Sequence, residues 1–145
     1  MTRLGPGQTL FQFVRHWSRR SVASGTDGEQ GRLVLVCEAV HSLSLRATPA
    51  TVNSIAQEIG IDQSGASRLI KNATAAGYLA MAASATDGRR REASLTATGH
   101  SMLDEAHHWQ EEVFTQLTRD WSDQRRRDFQ QAMTDLIKST YALDA

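Results

Sequence analysis

The sequence predicts a mainly α fold with one small β-hairpin, and three observations predict it. Apolar residues recur at helical spacing through most of the 145 residues. Between Thr51 and Leu79 two short helical patterns are separated by Gly60 and closed by Gly77. Directly after them, an Asp-Gly turn parts two short segments, the strongest short-range hairpin signal.

Leu10, Phe13, Val14 and Trp17 hold helical spacing, which predicts a first amphipathic helix over about residues 8–22 with Arg15, Arg19 and Arg20 on or near its polar side. Ser24 to Gly28, SGTDG, is a loop by composition. A second helix is predicted over Glu29 to Leu45, apolar enough around Leu33 to Val36 to lie centrally, and Thr48-Pro49 breaks the chain after it. Asn53 is the expected N-cap of a short third helix, SIAQEI, which Gly60 ends. Asp62 is the expected cap of a fourth, running to about Ala76 with Gly77 as its stop.

Tyr78 to Ser84 and Arg91 to Leu95 flank the turn TDGRR. The first strand is rich in alanine and has poor β-propensity, so the hairpin rests on its turn. Thr96 caps a long helix over about 97–119, whose face is Met102, Leu103, Ala106, Trp109, Val113, Phe114 and Leu117. Ser122 caps a last helix, about 122–143, with Phe129, Met133, Leu136, Ile137 and Tyr141 in register. The length and the absence of internal repeats predict one domain over 1–145.

Composition narrows the function classes. No apolar run approaches the length of a membrane span, and no secretory leader is seen at the amino terminus, so a soluble, cytoplasmic protein without membrane contact is expected. One cysteine, Cys37, allows no internal disulfide. The net charge is zero but unevenly spread. Residues 1–91 hold eleven Lys/Arg against six Asp/Glu, a balance of +5, and residues 92–145 hold five against ten, a balance of −5. A positive field around the two-helix segment is compatible with a neutral whole. No nucleophile-and-base pattern or glycine-rich phosphate loop is present, so no enzymatic activity is expected.

The fourth helix separates its residues by chemistry. Ala66, Leu69, Ile70 and Ala73 form one stripe, while Ser64, Ser67, Arg68 and Lys71 form another on roughly the opposite side. Helix, turn, helix, hairpin is the winged helix-turn-helix plan, in which the second helix enters the major groove and the hairpin follows the backbone or the minor groove. Gln63 and Arg68 suit bidentate contacts to base edges, Ser64 and Ser67 suit bases or phosphates, and Lys71 suits a phosphate. A solvated face on an ordinary core helix would show the same stripe. Arg89, Arg90 and Arg91 stand in a row at the turn, where mutual repulsion favours an anion nearby, and a narrow minor groove attracts arginine.

Three pieces in order then carry a family resemblance: IAQEIGIDQSGASRLIKNATAAGYL, Asp87-Gly88-Arg89-Arg90, and Leu95-Thr96-Ala97-Thr98-Gly99. With helices on both sides, the chain resembles the multiple-antibiotic-resistance regulator (MarR) family over nearly its whole length. The resemblance implies a homodimer joined by its first and last helices, with a winged helix-turn-helix over about 48–98 at each lower corner. It implies that Gln63, Ser64, Ser67, Arg68 and Lys71 face double-stranded DNA, that Arg89 reaches the minor groove, and that Asp87 orients the wing. Arg90 and Arg91 are expected to add backbone contacts, because the strand AMAAS lacks the arginine and prolines frequent in family wings.

The implied function is a DNA-binding transcription regulator, a repressor relieved by a small phenolic or aromatic effector, with no resident cofactor. A winged-helix module that binds protein is the first alternative, and a zinc-responsive regulator the second. Dimerisation also follows from the residues themselves: Phe11, Phe13, Trp17, Phe129, Leu136, Ile137 and Tyr141 exceed what one thin helical layer hides. Cys37 lies in the run LVLVC without a basic neighbour, which predicts a buried structural thiol. Cys37 with His41, and His107 and His108 with Glu111 and Glu112, have i, i+4 spacing compatible with metal ligation, but without a tight cluster motif no metal site is expected. His16, Trp17, His41 and Trp109 are conceivable walls of an effector crevice, and equally ordinary core or interface residues.

Overall fold

The structure, a computed structural model, describes residues 3–18 and 28–145. Among these, six helices and one hairpin follow in the order α1 (Pro6–Ser18), α2 (Gly28–Leu45), α3 (Val52–Ile59), α4 (Gln63–Ala75), β1 (Leu79–Ala83), β2 (Arg91–Leu95), α5 (Ala97–Leu117) and α6 (Asp123–Asp144). This is the mainly helical winged-helix fold expected. The predicted loop SGTDG and the end of the first helix, with Arg19 and Arg20, lie outside the described residues except for Gly28, which already opens α2. The chain divides into two compact units, residues 1–110 and 111–145.

In the first unit α2 is central. It buries Leu33, Val34, Val36, Cys37, Ala39, Val40 and Leu43, on several sides rather than one stripe, because α3, α4 and β2 all pack against it. Val36, Cys37 and Ile55 are the largest fully buried side chains. Removing most of Ile55 would cost about 2–5 kcal/mol, so this contact between α3 and the core is a main determinant of where the helix pair sits.

The local stops work as the residues require. Gly60 takes φ 83°, a left-handed conformation that costs glycine little, and ends α3. One expectation is corrected: Thr51, not Asn53, is the N-cap of α3. The reason is a reciprocal pair. The Ser54 N–H donates to Thr51 Oγ1 at 3.1 Å while the Thr51 N–H donates to Ser54 Oγ at 2.9 Å, so two helix-end donors are satisfied together and Asn53 is left exposed in the first turn.

Strands β1 and β2 pair antiparallel, Leu79 opposite Leu95 and Ala83 opposite Arg91. Leu79 and Ala93 face the core. The Ala93 N–H donates to the Ala50 carbonyl at 2.8 Å, fixing the base of the hairpin to the chain entering α3. Thr96 then joins hairpin to helix: its hydroxyl donates to the Gly77 carbonyl and accepts the Gly99 N–H at 3.0 Å. Gly99 is required here, since a β-carbon at this position would overlap the Tyr78 carbonyl oxygen.

In the second unit Arg126 closes the end of α5. Its Nε and Nη2 donate to the Thr118 carbonyl at 3.1 and 2.7 Å, supplying partners to a helix end that lacks them. Phe129 stacks on Phe114 at 6.3 Å and meets Trp121 edge-on at 5.3 Å. Ser122 caps α6 as expected, accepting from the Arg125 N–H at 3.1 Å.

Candidate nucleic-acid interface

Helix α4 is set by its two ends. Asp62 accepts the Gly65 N–H at 2.7 Å, and the chain leaves through Gly77 at φ 86°. Between them Ala66, Ile70 and Ala73 are buried and Leu69 packs against the core at partial exposure. Burial of that stripe fixes the helix rotation and leaves Gln63, Ser64, Ser67, Arg68 and Lys71 exposed on the other side. These five predicted residues therefore lie on the free surface of one helix.

Sequence reading passed over Asn72. It is exposed one turn beyond Arg68 and, with Arg68 and Arg32, borders a cavity of about 470 Å³ between α2, α3 and α4. Its spacing of four from Arg68 was the available signal.

The hairpin tip is a turn with internal bonds. The Arg90 N–H donates to the Asp87 carbonyl at 3.0 Å, and the Arg89 N–H to Asp87 Oδ1 at 3.1 Å. Aspartate suits the first position of such a turn because its side chain can bond the backbone two residues on. Below the tip, the Ser84 N–H donates to the Arg90 carbonyl at 2.8 Å.

The three arginines differ. Arg89 and Arg90 are exposed at the tip. Arg91 is exposed too, but it already belongs to β2, and its Nη2 donates back to the Met81 carbonyl at 3.3 Å. One of the three guanidiniums is thus held against the backbone of its own hairpin.

The other residues singled out by spacing fall in separate places. Cys37 is fully buried, and burial followed by the neighbouring Glu38 carboxylate pushes its thiol up to about 12, opposite to a reactive thiolate. His16, Trp17 and Trp109 form an aromatic group, with Trp17 edge-on to His16 at 5.1 Å and to Trp109 at 6.2 Å. His41 lies instead beside His107, ring centroids 6.0 Å apart, and His107 Nε2 is 2.6 Å from Glu38 Oε1. Among the described residues no three His, Cys, Asp or Glu side chains are placed to hold one metal ion. No described helix is long and apolar enough to cross a membrane.

Comparisons with known proteins agree with this geometry. The MarR family model matches residues 39–90, from α2 to the wing tip. A crystal structure of MarR is 16% identical, with a TM-score of 0.74 over 99% of this chain and 96% of that one. A MarR family transcriptional regulator from Silicibacter pomeroyi is 19% identical, with a TM-score of 0.69 over 94% of this chain and 89% of that one. S. aureus MepR bound to ethidium bromide is 16% identical, with a TM-score of 0.59 over 94% of this chain and 97% of that one. No curated protein matches the chain. Residues 39–90 match the MarR family model, and the chain has the fold of the solved MarR-family structures that it resembles.

Proposed function

We propose that the chain acts as a homodimeric, sequence-specific DNA-binding regulator, a repressor that a small ligand releases from a pseudo-palindromic operator. One observation carries this reading: the exposed polar side of α4 and the exposed Arg89 and Arg90 of the hairpin are presented by residues that match the MarR family model, with helix pair and wing each fixed by capping and turn bonds. Lys71 and the wing arginines would supply phosphate affinity, and Gln63, Ser67 and Arg68 base discrimination, with Ser64 bonding to either. Asp87 would act through the turn it holds, and Arg91 would be divided between backbone contact and its bond to Met81.

Dimerisation is supported by apolar side chains left uncovered in the single chain. Helices α1 and α6 bury no residue, while Phe11, Phe13, Val14, Leu136 and Ile137 are each about half exposed. A monomer rarely leaves so much large apolar surface in water. A two-fold dimer would set its recognition helices about 34 Å apart, or a multiple of it, and would read a pseudo-palindrome. Ligand release would follow from a small molecule that binds the DNA-incompetent spacing more tightly. A relative of the same fold, MepR, was solved with ethidium bromide, which supports a small-molecule site in such a scaffold.

Selection of bound duplexes from a random pool by the full chain tests the reading. A recovered two-fold symmetric motif is expected. Recovery of no enriched sequence, with no salt-dependent affinity for any duplex, would reject it in favour of a protein-binding module.

A further inference from the structure

A second cavity, of about 420 Å³, opens between α2, α3 and α5 in the first unit. That volume is within the range of small-molecule sites. Leu35, Ala39, Leu45 and Ile59 give it apolar walls, and Leu35 and Leu45 are among the exposed large apolar residues. Its polar lining is unlike a site for an acid: Glu38, Glu58, His41, His107 and Ser42, with no lysine or arginine among the described lining residues. The charge of Glu58 is already met by Arg46, bonded through its Nη1 and Nη2 at 3.0 and 2.6 Å. Glu38 is held by an imidazole, which balances a carboxylate only when protonated.

We propose that this cavity binds an organic cation, a protonated amine carried on a flat apolar body, with Glu38 as the residue that recognises the charge. This rests on the ligand-released reading above and assigns its effector a charge opposite to that of the phenolic acids expected from the family resemblance. The argument is one of sign. An ammonium replacing His107 at Glu38 would bring a full positive charge to the carboxylate, where an imidazole brings one only when protonated, while its apolar body covers Leu35, Leu45 and Ile59. A carboxylate ligand would instead meet Glu38 with no cationic side chain in the described lining.

The position also offers a route to DNA. Glu38–His107 ties α2 to α5, and Arg46–Glu58 ties the turn after α2 to α3, the first helix of the proposed DNA-binding pair. An occupant that takes Glu38 from His107 releases one of these ties and presses on the Ile59 end of α3. It would thereby favour a different placement of the helix pair, by as much as its affinity differs between the two placements.

Calorimetric titration of the full chain with three probes that share one ring system tests the site: 1-naphthylmethylammonium, 1-naphthylmethanol and 1-naphthoate. The ammonium is expected to bind about tenfold or more tightly than the naphthoate, with the alcohol between them. Glu38→Gln should abolish that order, while His107→Ala, which removes the partner of the carboxylate, should tighten the ammonium. An equal or reversed order in the wild type, or an unchanged preference in Glu38→Gln, would overturn the proposal. These titrations contain no DNA, so they stand apart from the regulator reading. Adding the ammonium to a complex with a selected duplex should release wild type but not Glu38→Gln. Binding without release would leave the site in place and remove its regulatory role.

Discussion

The Arg89 N–H donates to Oδ1 of Asp87 at 3.1 Å, so the acidic residue of the wing works inside the turn and the basic one projects from it. Removing each should therefore weaken DNA binding by a different route. Arg89→Ala should lower affinity for all duplexes and flatten the slope of log K against log salt by about one unit per lost phosphate contact. Asp87→Ala keeps the positive charge and should lower affinity with the slope nearly unchanged. Equal slopes in wild type and Arg89→Ala would take the wing out of the interface.

Arg68 lies on the exposed side of α4, opposite the buried Ala66, Ile70 and Ala73. On the proposed reading, Arg68→Ala relaxes base preference at one position of each half-site, at about 1–3 kcal/mol. Binding to an array of single-base operator variants measures this. Uniform weakening across the array would make Arg68 a phosphate contact.

Gly99→Ala places a β-carbon onto the Tyr78 carbonyl, where α5 meets the start of the hairpin. Backbone cannot swing aside as a flexible side chain does, so a loss of about 1–3 kcal/mol is expected. Denaturant unfolding reads it directly. A wild-type midpoint would show that α5 slides away from Tyr78 without cost.

Cys37 gives the chain a pH dependence of known sign. Its ordinary value of 9.0 applies unfolded and about 12 folded, so the neutral thiol is favoured in the core. Its contribution is fully present below about pH 9 and is lost as pH rises towards 12, at up to about 1.4 kcal/mol per unit. Other groups titrate in the same range, so the measurement is the difference between wild type and Cys37→Ala. That difference should shrink when unfolding at about pH 8 is compared with unfolding at about pH 10.5. A constant difference would mean that the thiol ionises alike in both states.

Ile137, 54% exposed on α6, tests the proposed dimer. Ile137→Glu should shift sedimentation from dimer to monomer and lower operator affinity, because two half-sites are then no longer held by one particle. Helical content should stay near that of wild type, since α6 buries no residue within the chain. An unchanged dimer would place the interface elsewhere.

Most of the fold and the proposed DNA surface were legible because they are written at short range. Asp62 caps its own helix, Gly60 and Gly77 take the left-handed turns that their chemistry allows, and Asp87 bonds to a residue two places on. The one cap misread shows the limit. Thr51 and Asn53 have nearly equal intrinsic fitness as caps, and Ser54 decided between them by bonding back to Thr51.

By itself the sequence determined the helices, the hairpin, and which side of α4 stays in water, because a 3.6-residue period and a turn signal are local properties. Only tertiary structure decided that Glu38 meets His107 across 69 residues, that Arg91 is bonded within its own hairpin, that Gly99 must lie against Tyr78, and that His41 parts from the tryptophans. Those pairings depend on how whole helices pack, and residue spacing along the chain carries no record of which distant faces meet.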